Sequence, residues 1–114
     1  MRTVGRLQAL IEETHRDNGR AVVLITHSMG GPTALAFLHT MPASWKREHL
    51  AAFVPISPPF GGAISTVKAL VSGDTLGIPF VQHALFHPIQ STCASGPWLF
   101  PQPSLWPKPQ TIVT

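Results

Sequence analysis

Val4, Leu7, Leu10 and Ile11, with Thr14, recur at helical spacing between Thr3 and Asp17, while Glu12, Glu13, Arg16 and Asp17 fall on the other side. Asn18-Gly19 supplies a C-terminal stop, so the pattern predicts an amphipathic helix. Ala21-Val22-Val23-Leu24-Ile25 is a short continuous apolar run between Gly19-Arg20 and His27-Ser28. Such a run suits a strand buried on both faces of a parallel sheet. From Gly31 to Met41 the residues are small and apolar, open with Pro32 and stop at Pro42, which predicts a buried helix. Ala43 to His49 reads as a polar connection, and Leu50 to Ile56 as a second buried strand. Strand, helix and strand in that order make a βαβ unit with a parallel sheet, and therefore an α/β fold.

The texture changes at Pro58. Nine of the 12 prolines lie from position 58 onward. Ile64, Val67, Leu70 and Val71 keep one helical stretch within Gly62–Ser72, but Gly73 to Gln110 is expected to be turn-rich. A long excursion of this kind inside a compact domain serves most often as a lid or binding loop. Thr111 to Thr114 reads as the start of another strand. The expected division is therefore 1–58, the centre of a sheet, and 59–114, a lid or cap segment, which together fall short of a complete domain.

Composition changes this picture in two ways. With 114 residues a two-domain enzyme is excluded, and charged residues make up only 11 %, an unusually uncharged surface for a free-standing domain. Eight Lys and Arg against five Asp and Glu give a net charge of +3. The cations are scattered, whereas phosphate binding needs them clustered, so nucleic acid is not an expected partner. The single cysteine, Cys93, can form no intramolecular disulfide, and no metal-ligand spacing or redox pair is present. No metal and no cofactor is expected. The first fifteen residues lack the apolar core of a signal peptide, no run reaches the length of a membrane span, and no Asn-x-Ser/Thr glycosylation site occurs.

Thr26-His27-Ser28-Met29-Gly30-Gly31 ends the first strand and leads directly into a helix. That is the context of a nucleophile elbow, where a serine on a tight strand-to-helix turn exposes its Oγ and the next N–H, here of Met29, can donate to a developing oxyanion. Gly30 supplies the small residue after the serine, while Thr26 stands where glycine is usual. The competing reading makes Ser28 a helix N-cap. A nucleophilic serine needs a base and an orienting acid, in the order Ser, Asp or Glu, His. Asp74 with His83 or His87 satisfies that order, but all three lie in the proline-rich excursion and read first as lid residues. His27 alternates away from Ser28 and reads as a packed core histidine.

Four blocks carry a resemblance: Val22–Gly30, Ala52–Gly62, Ser72–Pro79 and Gly96–Pro101. In this order they resemble the lecithin–cholesterol acyltransferase family, including lysosomal phospholipase A. The resemblance implies a partial α/β-hydrolase core with Ser28 as nucleophile, Met29 as one backbone oxyanion donor, and a lid that admits acyl chains. It also implies that the second oxyanion donor lies before Met1 and the triad Asp and His after Thr114. Acyl transfer from a glycerophospholipid to water or a lipid alcohol is then the expected activity, in a secreted or lysosomal setting. The segment His83–Ser95 carries fewer charges than the family's lid.

Trp98 and Phe100 are candidates for contact with an acyl chain, a membrane or a lipoprotein surface, since aromatic rings favour such interfaces. Two other readings compete. One is a non-catalytic lipid-binding or interaction module that kept the lid without the triad. The other is a compact esterase using Asp74 with His83 or His87. Two strands taken alone leave unpaired edges and apolar faces, so the isolated chain is expected to be marginally stable or aggregation-prone.

Overall fold

The computed structural model describes residues 2–75, 77–80 and 82–106, except the side chains of Arg2, Thr3 and His83. The expected strand at Thr111–Thr114 lies outside the described residues. The chain forms two compact units, Met1–Pro58 and Pro59–Thr114.

In the first unit the order is α1 (Arg2–Asn18), β1 (Val22–His27), α2 (Gly30–Thr40), α3 (Ala43–His49) and β2 (Leu50–Ile56). β1 and β2 pair in parallel, with Leu24 opposite Phe53 and His27 opposite Ile56, after an irregularity between Val22 and Val23. The α/β expectation therefore holds as a two-stranded parallel sheet with helices. Ile11 of α1 and Phe37 and Leu38 of α2 form the buried centre. Leu7, Trp45, Leu50 and Phe53 and the inward residues of β1, Val22 and Leu24, pack around it. Phe37 meets the Trp45 ring edge-on, with centroids 5.7 Å apart.

Two expectations fail here. β1 is not buried on both faces: its burial alternates, and Val23 and Ile25 remain 50 % and 62 % exposed because no described element covers that side. Ala43–His49 is a helix, not an irregular connection. Its polar composition hid a single anchoring face. The Trp45 Nε1–H donates to Glu12 Oε1 at 2.7 Å, the Lys46 ammonium donates to the Leu38 carbonyl at 3.1 Å, and the His49 ring stacks on Trp45 at 4.8 Å. Gln8 adds a second hydrogen bond to Glu12, at 2.8 Å. These bonds, Gln8 first and Trp45 second, hold the Glu12 carboxyl below its ordinary pKa of 4.5.

The second unit contains α4 (Ile64–Ser72), α5 (His83–Ser91) and a 3₁₀ turn at Pro97–Leu99. α5 corrects the expectation of an irregular stretch; it contains Pro88, whose presence masks the helical signal in the sequence. The unit closes on Gly61-Gly62. Ala63 N–H donates to the Leu99 carbonyl at 2.8 Å and Gln102 N–H to the Gly61 carbonyl at 3.0 Å, and the Trp106 indole reaches the same Gly61 carbonyl at 2.8 Å. Gly62 sits at φ +83, where a Cβ would overlap the Phe100 carbonyl, so glycine is required for this crossing.

Candidate functional site

β1 ends at His27 and α2 begins at Gly30, leaving Ser28 and Met29 to make the turn. Ser28 is exposed and takes φ 50, a left-handed conformation rare for a side-chain-bearing residue. Two backbone bonds fix it: Ser28 N–H donates to the Ile56 carbonyl at the end of β2 at 2.9 Å, and Gly31 N–H donates to the Ser28 carbonyl at 2.9 Å. The residue preceding α2 is Met29, in helical conformation and without a side-chain cap. No side-chain hydrogen bond caps the start of α2, so the N-cap reading of Ser28 gains no support. Its side chain stands at the carboxyl edge of a parallel sheet, beside the N-terminus of α2, where backbone N–H groups lack intrahelical partners and favour negative charge.

Thr26, the departure from the usual glycine, packs against Gly30: a Cβ built on Gly30 would lie 3.4 Å from the Thr26 Cβ, at the near limit of ordinary contact. The Thr26 hydroxyl is buried and has no hydrogen-bond partner among the described residues. His27 is exposed, which corrects its assignment to the core; it lies on the same uncovered face as Val23 and Ile25. Ser57 was not singled out from the sequence. It follows β2 as Ser28 follows β1 and shares the left-handed conformation, with φ 46. The available signal was the parallel position of the two serines, each placed directly after a buried run.

Asp74 and His87, the internal acid and base candidates, both belong to the second unit. Asp74 Oδ2 pairs with the Lys68 ammonium at 3.2 Å, and its backbone exchanges two hydrogen bonds with the Gln90 side chain, at 2.8 and 2.7 Å. The His87 Nε2 lies 3.0 Å from the Leu70 carbonyl, an acceptor, so this nitrogen carries the proton. Both groups thus fasten α5 to α4. The third candidate, His83, opens α5, and its side chain lies outside the described residues.

α4, α5 and the 3₁₀ turn also enclose an apolar cavity of about 290 Å³, with Leu70 and Leu99 in its wall and Cys93 at its margin. The exposed Cys93 thiol lies 3.0 Å from the Ser95 hydroxyl. That hydrogen bond holds its pKa below the ordinary value. Trp98 and Phe100, the lipid-contact candidates, are 52 % and 41 % exposed. Among the described residues no cluster of three or more His, Cys, Asp or Glu side chains is placed to hold a metal ion, and no helix is long and apolar enough to cross a membrane.

Comparison with known proteins gives a consistent set of relatives. The family model described as lecithin:cholesterol acyltransferase matches residues 4–113. A rabbit (Oryctolagus cuniculus) phosphatidylcholine-sterol acyltransferase is 36 % identical over 110 residues, 96 % of this chain and 25 % of its own length. The lecithin-cholesterol acyltransferase-like 1 protein of Arabidopsis thaliana is 42 % identical over 96 residues, 83 % of this chain and 22 % of the relative. A bovine (Bos taurus) lysosomal phospholipase A and acyltransferase is 38 % identical over 106 residues, 93 % of this chain and 26 % of the relative. The chain thus spans about a quarter of the length of the relatives it matches.

Proposed function

Because the chain belongs to the lecithin:cholesterol acyltransferase family, we propose that it carries the nucleophile elbow of a lipid acyltransferase or phospholipase with an α/β-hydrolase core, with Ser28 as the acyl-accepting residue. The observation that carries this reading is the left-handed Ser28, held between β1 and α2 by its bond to Ile56. A serine in that conformation costs about 1–2 kcal/mol relative to a right-handed one, and the cost is understandable where the turn must present Oγ outward.

In the proposed reaction the Ser28 Oγ attacks the ester carbonyl of a glycerophospholipid and loses its proton to a general base. The Met29 N–H, at the positive end of α2, donates to the developing oxyanion. Collapse of the tetrahedral intermediate breaks the carbonyl–oxygen bond to the glycerol, which leaves with the proton, and the acyl group stays on Ser28. Water or a lipid alcohol then takes the acyl group by the reverse sequence. The second unit supplies the lid, with Trp98 and Phe100 meeting acyl chains or a membrane or lipoprotein surface. The setting we assign is secreted or lysosomal; the bovine relative is lysosomal by name.

The test replaces the matching segment of the bovine lysosomal phospholipase A and acyltransferase by residues 4–113 of this chain. The exchanged enzyme should retain acyl transfer, and Ser28→Ala should lower kcat by about 10⁴-fold or more while leaving the melting temperature in place. A Ser28→Ala exchange enzyme that turns over unchanged would refute the assignment. The non-catalytic alternative has no specific observation in its favour.

A further inference from the structure

At the amino edge of the sheet, opposite the carboxyl edge that holds Ser28, two histidines meet. His15 lies in the last turn of α1, before the link to β1, and His49 ends α3, directly before β2. The register sets Val22, at the start of β1, opposite Leu50, at the start of β2. The ring centres of His15 and His49 lie 5.0 Å apart, with the planes tilted by 57°. Each ring is fixed by a backbone carbonyl: His15 Nδ1 is 3.0 Å from the Arg20 oxygen, and His49 Nδ1 is 3.0 Å from the Trp45 oxygen. A carbonyl only accepts, so both Nδ1 atoms carry the proton and both Nε2 atoms keep a lone pair. Neither Nε2 has a hydrogen-bond partner among the described residues. The Trp45 ring, stacked on His49 at 4.8 Å with the planes 16° apart, holds that imidazole in place.

We infer that His15 and His49 form a two-histidine site for a late first-row divalent metal ion, Zn²⁺ or Cu²⁺, bound through their Nε2 atoms. With metal–nitrogen bonds of about 2.1 Å, two imidazoles on one tetrahedral ion hold their ring centres about 5 Å apart, which is the separation of this pair. A hydrogen bond from the opposite ring nitrogen to a carbonyl is the support that metal-bound histidines ordinarily have, because it fixes tautomer and orientation. Both rings are half-buried and already ordered, so little side-chain freedom is lost on binding. The surrounding charge suits a cation: the Glu12 carboxylate, one turn before His15, lies within electrostatic reach of His49, and Arg16 pairs with Asp17 at 3.9 Å. No third His, Cys, Asp or Glu is placed to join the pair among the described residues, so the remaining positions on the ion fall to water. An imidazole donor set selects Zn²⁺ or Cu²⁺ over Mg²⁺ or Ca²⁺. Bound there, the ion ties the chain entering β1 to the chain entering β2. The site stands about 15–20 Å from Ser28 along β1, so it does not rest on the acyltransferase reading.

The experiment titrates the 114-residue chain with Cu²⁺, Zn²⁺ or Mg²⁺ alone, in a Cys93→Ser background that removes its single thiol. Substoichiometric Cu²⁺ should broaden the imidazole NMR signals of His15 and His49 ahead of those of the other four histidines. It should also quench Trp45, whose ring is stacked on His49. Zn²⁺ should raise the melting temperature, because an ion held only by the folded chain stabilises it; Mg²⁺, which takes oxygen ligands, should leave it unchanged. His15→Asn and His49→Gln each keep a side-chain N–H but remove the ligand nitrogen. Either should weaken Cu²⁺ binding about tenfold or more, since the gain from holding two ligands together is lost. His39→Asn, at an exposed position on α2, should bind like the background chain. The order of broadening is read without substitution at either histidine, so a variant that fails to fold does not decide the outcome. Simultaneous broadening of all six histidines, a Zn²⁺ shift that survives in both variants, or an equal loss with His39→Asn would each overturn the inference.

Discussion

Ser28 and Ser57 show how one residue's backbone carries information that its side chain hides. Both follow a strand of the same parallel sheet and both take positive φ without being glycine. Replacing either by glycine removes the clash of Cβ in the left-handed region but adds chain entropy to the unfolded state. Ser57→Gly is expected to raise stability by up to about 1 kcal/mol in urea denaturation, and Ser28→Gly to do the same while abolishing acyl transfer in the exchanged enzyme. Stability gained together with activity lost is the mark of strain kept for function; a fall in stability for both would remove that reading. The position of Ser28 was legible in the sequence, since a buried run followed by small residues defines the turn. Ser57 was not, because Pro58-Pro59 after it reads as simple punctuation. His27 misled for another reason: alternation correctly turned it from Ser28, but only the structure shows that the face it turns to is uncovered.

At the scale of elements, legibility followed length and hydrophobic content. β1, β2, α1, α2 and α4 were read from apolar runs or periodicity, with ends displaced by a few residues at most. α3 has seven residues and no buried side chain, so its helicity rests on specific bonds, chiefly Trp45 to Glu12, which no periodicity records. α5 was hidden by Pro88. The Glu12 anchor also sets a pH dependence. Its folded pKa lies below the ordinary 4.5, so the stability it contributes is complete above that value and is lost as pH falls through the folded value. Acidification below about 4.5 should therefore loosen α3 from α1, seen as a change in Trp45 fluorescence on a background of the other two tryptophans. Glu12→Gln should flatten that acid limb; an unaltered limb would assign it to other carboxylates.

At the scale of the whole molecule, each unit leaves apolar surface without cover among the described residues. In the first it is the sheet face of Val23, Ile25, Val54 and Ile56, each at least 42 % exposed. Such a face on a two-stranded sheet favours association. The isolated chain should therefore sediment with concentration-dependent mass, and Ile25→Thr with Val54→Thr should reduce that dependence; a monomer at every concentration would contradict it. The family was legible from four sequence blocks, and the comparisons place the chain in it, yet the base that would activate Ser28 is fixed neither by the sequence pattern nor by Asp74 and His87, which hold α5 to α4. The account accordingly stands on Ser28 alone. Its most direct test is mass spectrometry of the exchanged enzyme quenched during turnover of a phosphatidylcholine. An acyl ester on the peptide containing Ser28, absent from Ser28→Ala, is the predicted result; an acyl group on another residue during turnover would contradict it.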